Sequence, residues 1–169
     1  MAAAGFSGTD FRNTLGAFAT GVTVVTTRGD EHAKDYGMTA TAFSSVSLDP
    51  PLVLVCVKSE SVGAEVIRSN GVFAVNVLGV RQEPISNVFA SRDRPRGREA
   101  FAEIPHREVA TGAPVMEAVA AFLDCRLVET YEAGDHFIFI GAVEALGVDA
   151  EVEPLLFHGG RYRIAADAG

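Results

Sequence analysis

Apolar residues fall along this chain in short runs broken by Gly, Pro, Asp and Ser, a pattern that predicts many strands and few helices. Thr9-Asp10 offers an N-cap, and Phe11, Leu15 and Phe18 follow at helical spacing, so residues 10–19 are expected to form a short amphipathic helix that Gly21 ends. Residues 22–27 are all Val or Thr and predict a strand, with a polar turn over 28–35 behind it. Residues 37–51 predict a second strand, bent near its serines and punctuated by Asp49-Pro50-Pro51, since proline cannot donate to a ladder. The continuous apolar run 52–57 has the form of a strand buried on both faces.

Further on, Ser61 can cap a helix carrying Val62, Val66 and Ile67, which Gly71 closes. Residues 73–78 predict a strand with one polar member, Asn76, whose amide either ties two strands together or touches a ligand, the first being favoured because buried amides are hydrogen-bonded within the fold. Pro84 suits the first turn of a helix through Ile85, Val88 and Phe89. Residues 121–131 and 136–148 predict two strands joined by a turn at 132–135, and 155–157 with 161–164 form a last strand around Gly159-Gly160. About seven strands and three short helices, without repeat or linker, argue for one domain over 1–169, an antiparallel barrel or sandwich. Its ends, 1–9 and 165–169, are expected to be flexible.

Within 37–51, a period of two puts Thr39, Thr41, Ser45 and Ser47 on one side and Met38, Ala40, Ala42, Val46 and Leu48 on the other. Small residues let a ligand approach the backbone, so a flat, heteroatom-rich ring with a phosphate tail would suit this surface. An ordinary solvated strand would carry the same residues.

A net charge of −8 argues against nucleic acid or an anionic membrane as the partner, while leaving room for a small anion held by a local donor cluster. Cys56 and Cys125 lie in apolar runs outside any C-x-x-C pair and are expected to be core thiols. The N-terminus lacks the pattern of a signal peptide, and no apolar run is long enough to span a bilayer, so a cytoplasmic protein is expected. Ser91 to Arg98 carries Arg92, Arg94, Arg96 and Arg98 at alternate positions and is expected to be a mobile loop, either merely solvated or touching a phosphate.

No dinucleotide or P-loop glycine motif and no G-x-S-x-G nucleophile is present, and His32, His106, His136 and His158 lack metal-ligand spacing, so no metal is expected. Chemistry in such a chain belongs to a bound cofactor that the protein positions. The order Phe18-Ala19-Thr20-Gly21-Val22-Thr23-Val24-Val25-Thr26, then the 37–51 segment, Gly71-Val72-Phe73-Ala74-Val75-Asn76-Val77-Leu78, Gly134-Asp135-His136 and Gly160-Arg161-Tyr162 resembles the flavin reductase family over nearly the whole length.

That resemblance implies an FMN-binding split barrel, mainly β with short helices and Greek-key connections. It implies reduction of free flavin by hydride transfer from nicotinamide C4 to flavin N5, for use by a separate monooxygenase. The flavin is FMN, with FAD as the alternative, and the donor NADH, with NADPH as the alternative. By position, Thr39, Ala40, Thr41, Ser44, Ser45 and Val46 would line the flavin ring and ribityl chain, and Lys58, Ser59 and Ser61 would meet its phosphate at a helix N-terminus. Phe89-Ala90 match a further flavin-contacting pair. Asp135 and His136 would form the nicotinamide site, with His136 as its catalytic side chain, and Phe157, Gly160, Arg161 and Tyr162 would add another wall. Thr41 stands where many relatives carry Asn, and a hydroxyl replaces only part of an amide's bonding. The resemblance also implies a homodimer. Two rival readings remain at this stage: a flavin-binding barrel that acts only as a carrier or structural subunit, and an oxidase of other small molecules with tightly held FMN.

Overall fold

The structure, a computed structural model, describes residues 5–29 and 35–165. Residues 1–4 and 166–169 of the two ends expected to be flexible, and residues 30–34 of the expected 28–35 turn, lie outside the described residues. Helix α1 (Gly8–Leu15) leads into strands β1 (Thr20–Gly21), β2 (Thr23–Thr27), β3 (Tyr36–Ala40), β4 (Phe43–Leu48) and β5 (Pro51–Lys58). Helix α2 (Val62–Asn70), β6 (Val72–Val77) and helix α3 (Glu83–Ala90) follow. The chain continues through β7 (His106–Arg107), β8 (Val115–Met116), β9 (Ala121–Ala133), β10 (His136–Val148), β11 (Leu156–His158) and β12 (Arg161–Arg163).

Seven strands form one antiparallel sheet in the order β3-β2-β6-β9-β10-β5-β4, and a small sheet β1-β11-β12 stands beside it. The two edge strands, β3 and β4, are consecutive in the chain and joined only by Thr41 and Ala42. Laid flat, six inter-strand spacings of about 4.8 Å would separate those edges by about 29 Å. The three Cα steps from Ala40 to Phe43 reach at most about 11 Å. The sheet therefore has to curl until its edges nearly meet. It is an antiparallel barrel whose hydrogen-bonded ladder is left open at one seam, the split expected of the fold. Helix α2 packs on β3, β5 and β6 over that seam.

Several local expectations are corrected. The 37–51 segment is two strands: Phe43 N–H donates to Thr41 O (3.1 Å), which turns the chain, and a register shift between Ser45 and Ser47 bends β4 near the serines. Each break changes the phase, so the threonines and serines do not share one face. Helix α1 is capped by Ser7, whose hydroxyl takes the Asp10 N–H while the Asp10 carboxylate accepts from Ser7, and it starts earlier than residue 10. None of its residues is buried. Burial along β5 alternates, with Val53, Val55 and Val57 inside and Leu52, Leu54 and Cys56 half-buried outside, so it is not covered on both faces. The strands covered on both faces are β2 and β6, which lie between the two cores. Val24 and Ala74 face a core with Leu78, Phe89, Phe101 and Met116, whereas Val25 and Val75 face one with Val55, Ile67 and Phe139.

Other signals act as their chemistry predicts. The Ser61 hydroxyl caps α2 at Ala64 N (3.2 Å), Gly71 ends it at φ 69°, and Pro84 lies in the first turn of α3. Cys125 is buried, which pushes its thiol up to about 12; Cys56 is only half-buried, and burial raises its thiol too. The long hairpin β9–β10 turns at Gly134-Asp135 alone, with Gly134 at φ 63°. No helix among the described residues is long and apolar enough to cross a membrane.

Asn76 is fully buried, and its amide ties β6 to two neighbours. Nδ2 donates to Val24 O and Thr26 Oγ1 (3.1 Å each), and Oδ1 accepts from Met116 N (2.8 Å). Asn76→Leu would strand a buried N–H and a buried carbonyl. It is expected to lower the stability to urea unfolding by about 3 kcal/mol; a change within about 0.5 kcal/mol would contradict this role.

Candidate functional site

The crossover that closes the barrel also builds the site. Cys56 N–H donates to Ala42 O (3.0 Å), and Phe43, Ser44 and Ser45 lie opposite Val55, Leu54 and Val53. Thr41-Ala42 therefore runs beside the last residues of β5, close to Lys58, whereas Ser44, Ser45 and Val46 run away from Lys58 along β5 toward Leu52. On the other side of β5, His136 stands opposite Lys58. Asp135 O accepts from both Ser59 N (2.9 Å) and Ser59 Oγ (3.0 Å), which clamps the hairpin tip to the loop before α2. Lys58, Ser59, Ser61, Asp135 and His136 are thus gathered where α2 begins. The first-turn N–H groups of that helix have no partner in its own ladder, and its dipole favours an anion.

Two of these hydroxyls are already committed. Ser61 Oγ donates to Lys58 O (2.7 Å) while capping α2, and Ser59 Oγ holds Asp135. Their donor protons build the loop and the cap takes the Ala64 N–H, which leaves the Lys58 ammonium and the first two N–H groups of α2 as candidates to meet a ligand anion. His136 is paired through Nδ1 with Asp135 Oδ1 (2.7 Å), and both side chains are exposed. The hydrogen bond and charge of His136, with a smaller contribution from Lys58, hold the Asp135 carboxyl below its usual range. An ionised Asp135 keeps the imidazole proton on Nδ1 and leaves Nε2 for a ligand.

The remaining candidates form a second group around α3 and the small sheet. Thr39 Oγ1 donates to Ser86 O (2.7 Å), Ser86 Oγ bonds Tyr162 OH (2.8 Å), and Tyr162 OH donates to Asn87 Oδ1 (3.2 Å). Phe157 meets Tyr162 edge-on at 5.5 Å. The Phe89 ring is fully buried against Phe101 and fills the space over Gly37, so its side chain belongs to the core, whereas Ala90 is exposed. Gly160 (φ 76°) presents the exposed Arg161 at the turn between β11 and β12. The Arg92–Arg98 stretch is tethered in part: Arg94 lies 5.5 Å over the Tyr36 ring, and Gly97 N–H donates to Asp35 O.

Between the crossover and the small sheet runs a groove of about 330 Å³, lined by residues 18–21, Thr23, Thr41, Phe43 and Val77. Ser86, Asn87 and residues 18–21 were not among the expected site residues. The only signal for the last was that Phe18-Ala19-Thr20-Gly21 opens the set of resembling segments.

Residues 15–166 match the family model described as the flavin reductase like domain. A probable flavin reductase of Rhizobium meliloti is 46% identical over 145 residues, which span 86% of this chain but only 45% of that protein. The HsaB reductase subunit of a flavin-dependent monooxygenase of Mycobacterium tuberculosis is 39% identical over 154 residues, covering 90% of this chain and 79% of that one. Among solved structures, the Streptomyces globisporus NADH:FAD oxidoreductase SgcE6 in complex with NAD and FAD fragments superposes with a TM-score of 0.85 at 39% identity, over 95% of this chain and 94% of that one.

The Asp135–His136 pair gives a direct prediction. Because the carboxyl pKa is lowered, the Asp135 carboxylate is kept throughout the ordinary carboxylate range and is lost only as the pH falls through the lowered value. Nitrogen-15 correlation spectra of the side chain should show His136 protonated on Nδ1 in its neutral form, and Asp135→Asn should remove that preference. A neutral His136 carrying its proton on Nε2 would contradict the assignment.

Proposed function

Because the chain belongs to the flavin reductase like domain family, we propose that it reduces free flavin with a nicotinamide nucleotide and hands the reduced flavin to a separate monooxygenase. The reading is carried by the meeting of Lys58, the start of α2, Asp135 and His136 at the end of the barrel crossover. The residues fit a flavin on chemical grounds. The crossover is narrow at Ala40 and Ala42, Gly21 has open space where a Cβ would stand, and Lys58 with the α2 N–H groups matches a phosphate tail. When bound, the flavin supplies the hydride acceptor, N5, for the nicotinamide C4.

The chain's own part is placement. Thr39, Ala40, Thr41, Ser44, Ser45 and Val46 hold the ring and ribityl chain, Lys58 and the loop of Ser59 and Ser61 hold the phosphate, and Ala90 borders them. His136, fixed by Asp135, packs against or bonds the nicotinamide, with Phe157, Gly160, Arg161 and Tyr162 as a second wall. FMN and FAD both fit this description; the relatives' names support NADH as donor. The protein acts in the cytoplasm as one domain over 1–169.

A homodimer completes the proposal. The outward side of β5 and β10 presents Leu52, Leu54, Cys56, Ile138 and Ile140 half-buried, and Leu48, Leu146 and Val148 stand 93%, 67% and 81% exposed. A sheet face this apolar suits a second copy of the same face. Sedimentation should give twice the 17.8 kDa chain mass, and Leu54→Glu should yield a folded monomer. A wild-type monomer at micromolar concentration would remove this part of the proposal.

The activity is tested by steady-state oxidation of NADH or NADPH with added FMN or FAD. Consumption should require flavin and saturate in it. His136→Ala should raise the nicotinamide KM or lower the rate about 10-fold or more while leaving flavin affinity near wild type. Nucleotide consumption that is absent with all four pairs would overturn the reading.

A further inference from the structure

The groove beside the crossover holds an oxygen that nothing in the fold explains. Thr20 Oγ1 is buried and has no hydrogen-bond partner, although part of Thr20 faces the groove. Thr23, at the same groove, uses its hydroxyl to donate to Ala40 O (2.7 Å), which ties β2 to the crossover. Thr20 has no such task. Its backbone is set by pairing with Phe157, and the same small sheet carries Tyr162. Across the groove stand Thr41, which the flavin reading places against the ring, and Phe43 at the other end of the same turn. Leaving a hydroxyl buried and unpaired is unfavourable, and folds keep such groups chiefly where a ligand uses them.

We propose that Thr20 is a ring-binding residue: its hydroxyl forms a hydrogen bond with the polar edge of the flavin ring lying in the groove, facing Thr41 from the opposite bank. This rests on the flavin reading above. A turn of about 120° about χ1 moves the hydroxyl to another staggered position, from which it can face the groove. Water in an empty groove can also meet the turned hydroxyl. A flat ring replaces that water with a fixed partner in a drier site, where the bond is stronger. The flavin ring is favoured because the facing bank is the crossover; Phe157, the strand partner of Thr20, belongs to the nicotinamide wall, so the NADH KM is measured as well.

The substitution Thr20→Val keeps the shape and removes only the hydroxyl; Thr20→Ser keeps the hydroxyl. Two measurements on the unloaded protein separate the roles. The melting temperature of Thr20→Val without ligand should equal or exceed that of the wild type, because an unpaired buried oxygen has been removed. Its dissociation constant for FMN and for riboflavin, from quenching of flavin fluorescence, should rise about three- to ten-fold, with Thr20→Ser near wild type. Riboflavin is included because it has the ring without the phosphate. Unchanged flavin affinity in Thr20→Val would overturn the proposal, as would a lowered melting temperature, which would give the hydroxyl an internal partner. So would a rise confined to the NADH KM, which would move the contact to the nicotinamide. A wild-type protein that binds no flavin would defeat the functional reading itself, a result distinct from any of these.

Discussion

Two residues, Thr41 and Ala42, connect opposite edges of a seven-stranded sheet, and most of the molecule follows from that short link. A chain of three Cα steps cannot bridge the width of a flat sheet, so the sheet curls and α2 covers the seam. Curling brings the end of β5 beside the crossover through the Cys56-to-Ala42 hydrogen bond. The same register sets His136 opposite Lys58. The site is thus assembled by closure of the barrel and not by any local motif.

The hydroxyl-rich composition of the site has a double use. Thr23, Thr39, Ser59 and Ser61 spend their protons on Ala40, Ser86, Asp135 and Lys58 carbonyls, which fixes the backbone around the rim. Main-chain N–H groups, Lys58 and the imidazole are then left to meet ligands. A chain with net charge −8 can still hold an anion this way, because one ammonium and the start of one helix act over a few ångströms where the overall charge is screened. His136 fits the same economy, oriented by its own neighbour Asp135 at a hairpin tip that Ser59 clamps.

Features governed by local chemistry were legible in the sequence. Ser61 and Gly71 bound α2, Pro84 opens α3, and Asn76 is a structural amide, each because the residue's own backbone or hydrogen-bonding demands decide the outcome. Features that depend on distant partners were not. The phase of residues 37–51 is reset by a turn and a register shift, and β5 lies next to an edge strand where only the barrel side is covered. Of the site, the grouping of Lys58 with Asp135 and His136 was available only through family resemblance, since 77 positions separate Lys58 from Asp135. The groove at Thr20 had no pattern to announce it, because an unpaired hydroxyl is a property of the folded surroundings.

The most direct test of the account is a single anaerobic turnover: protein and oxidised FMN mixed with an excess of NADH, of NADH deuterated at C4, or of NADPH, with flavin absorbance followed in the stopped flow. The flavin should bleach in one catalysed phase, and deuterium on the transferred face should slow it. Flavin that binds yet stays oxidised with both NADH and NADPH would show a carrier in place of a reductase, and would contradict the role given to His136.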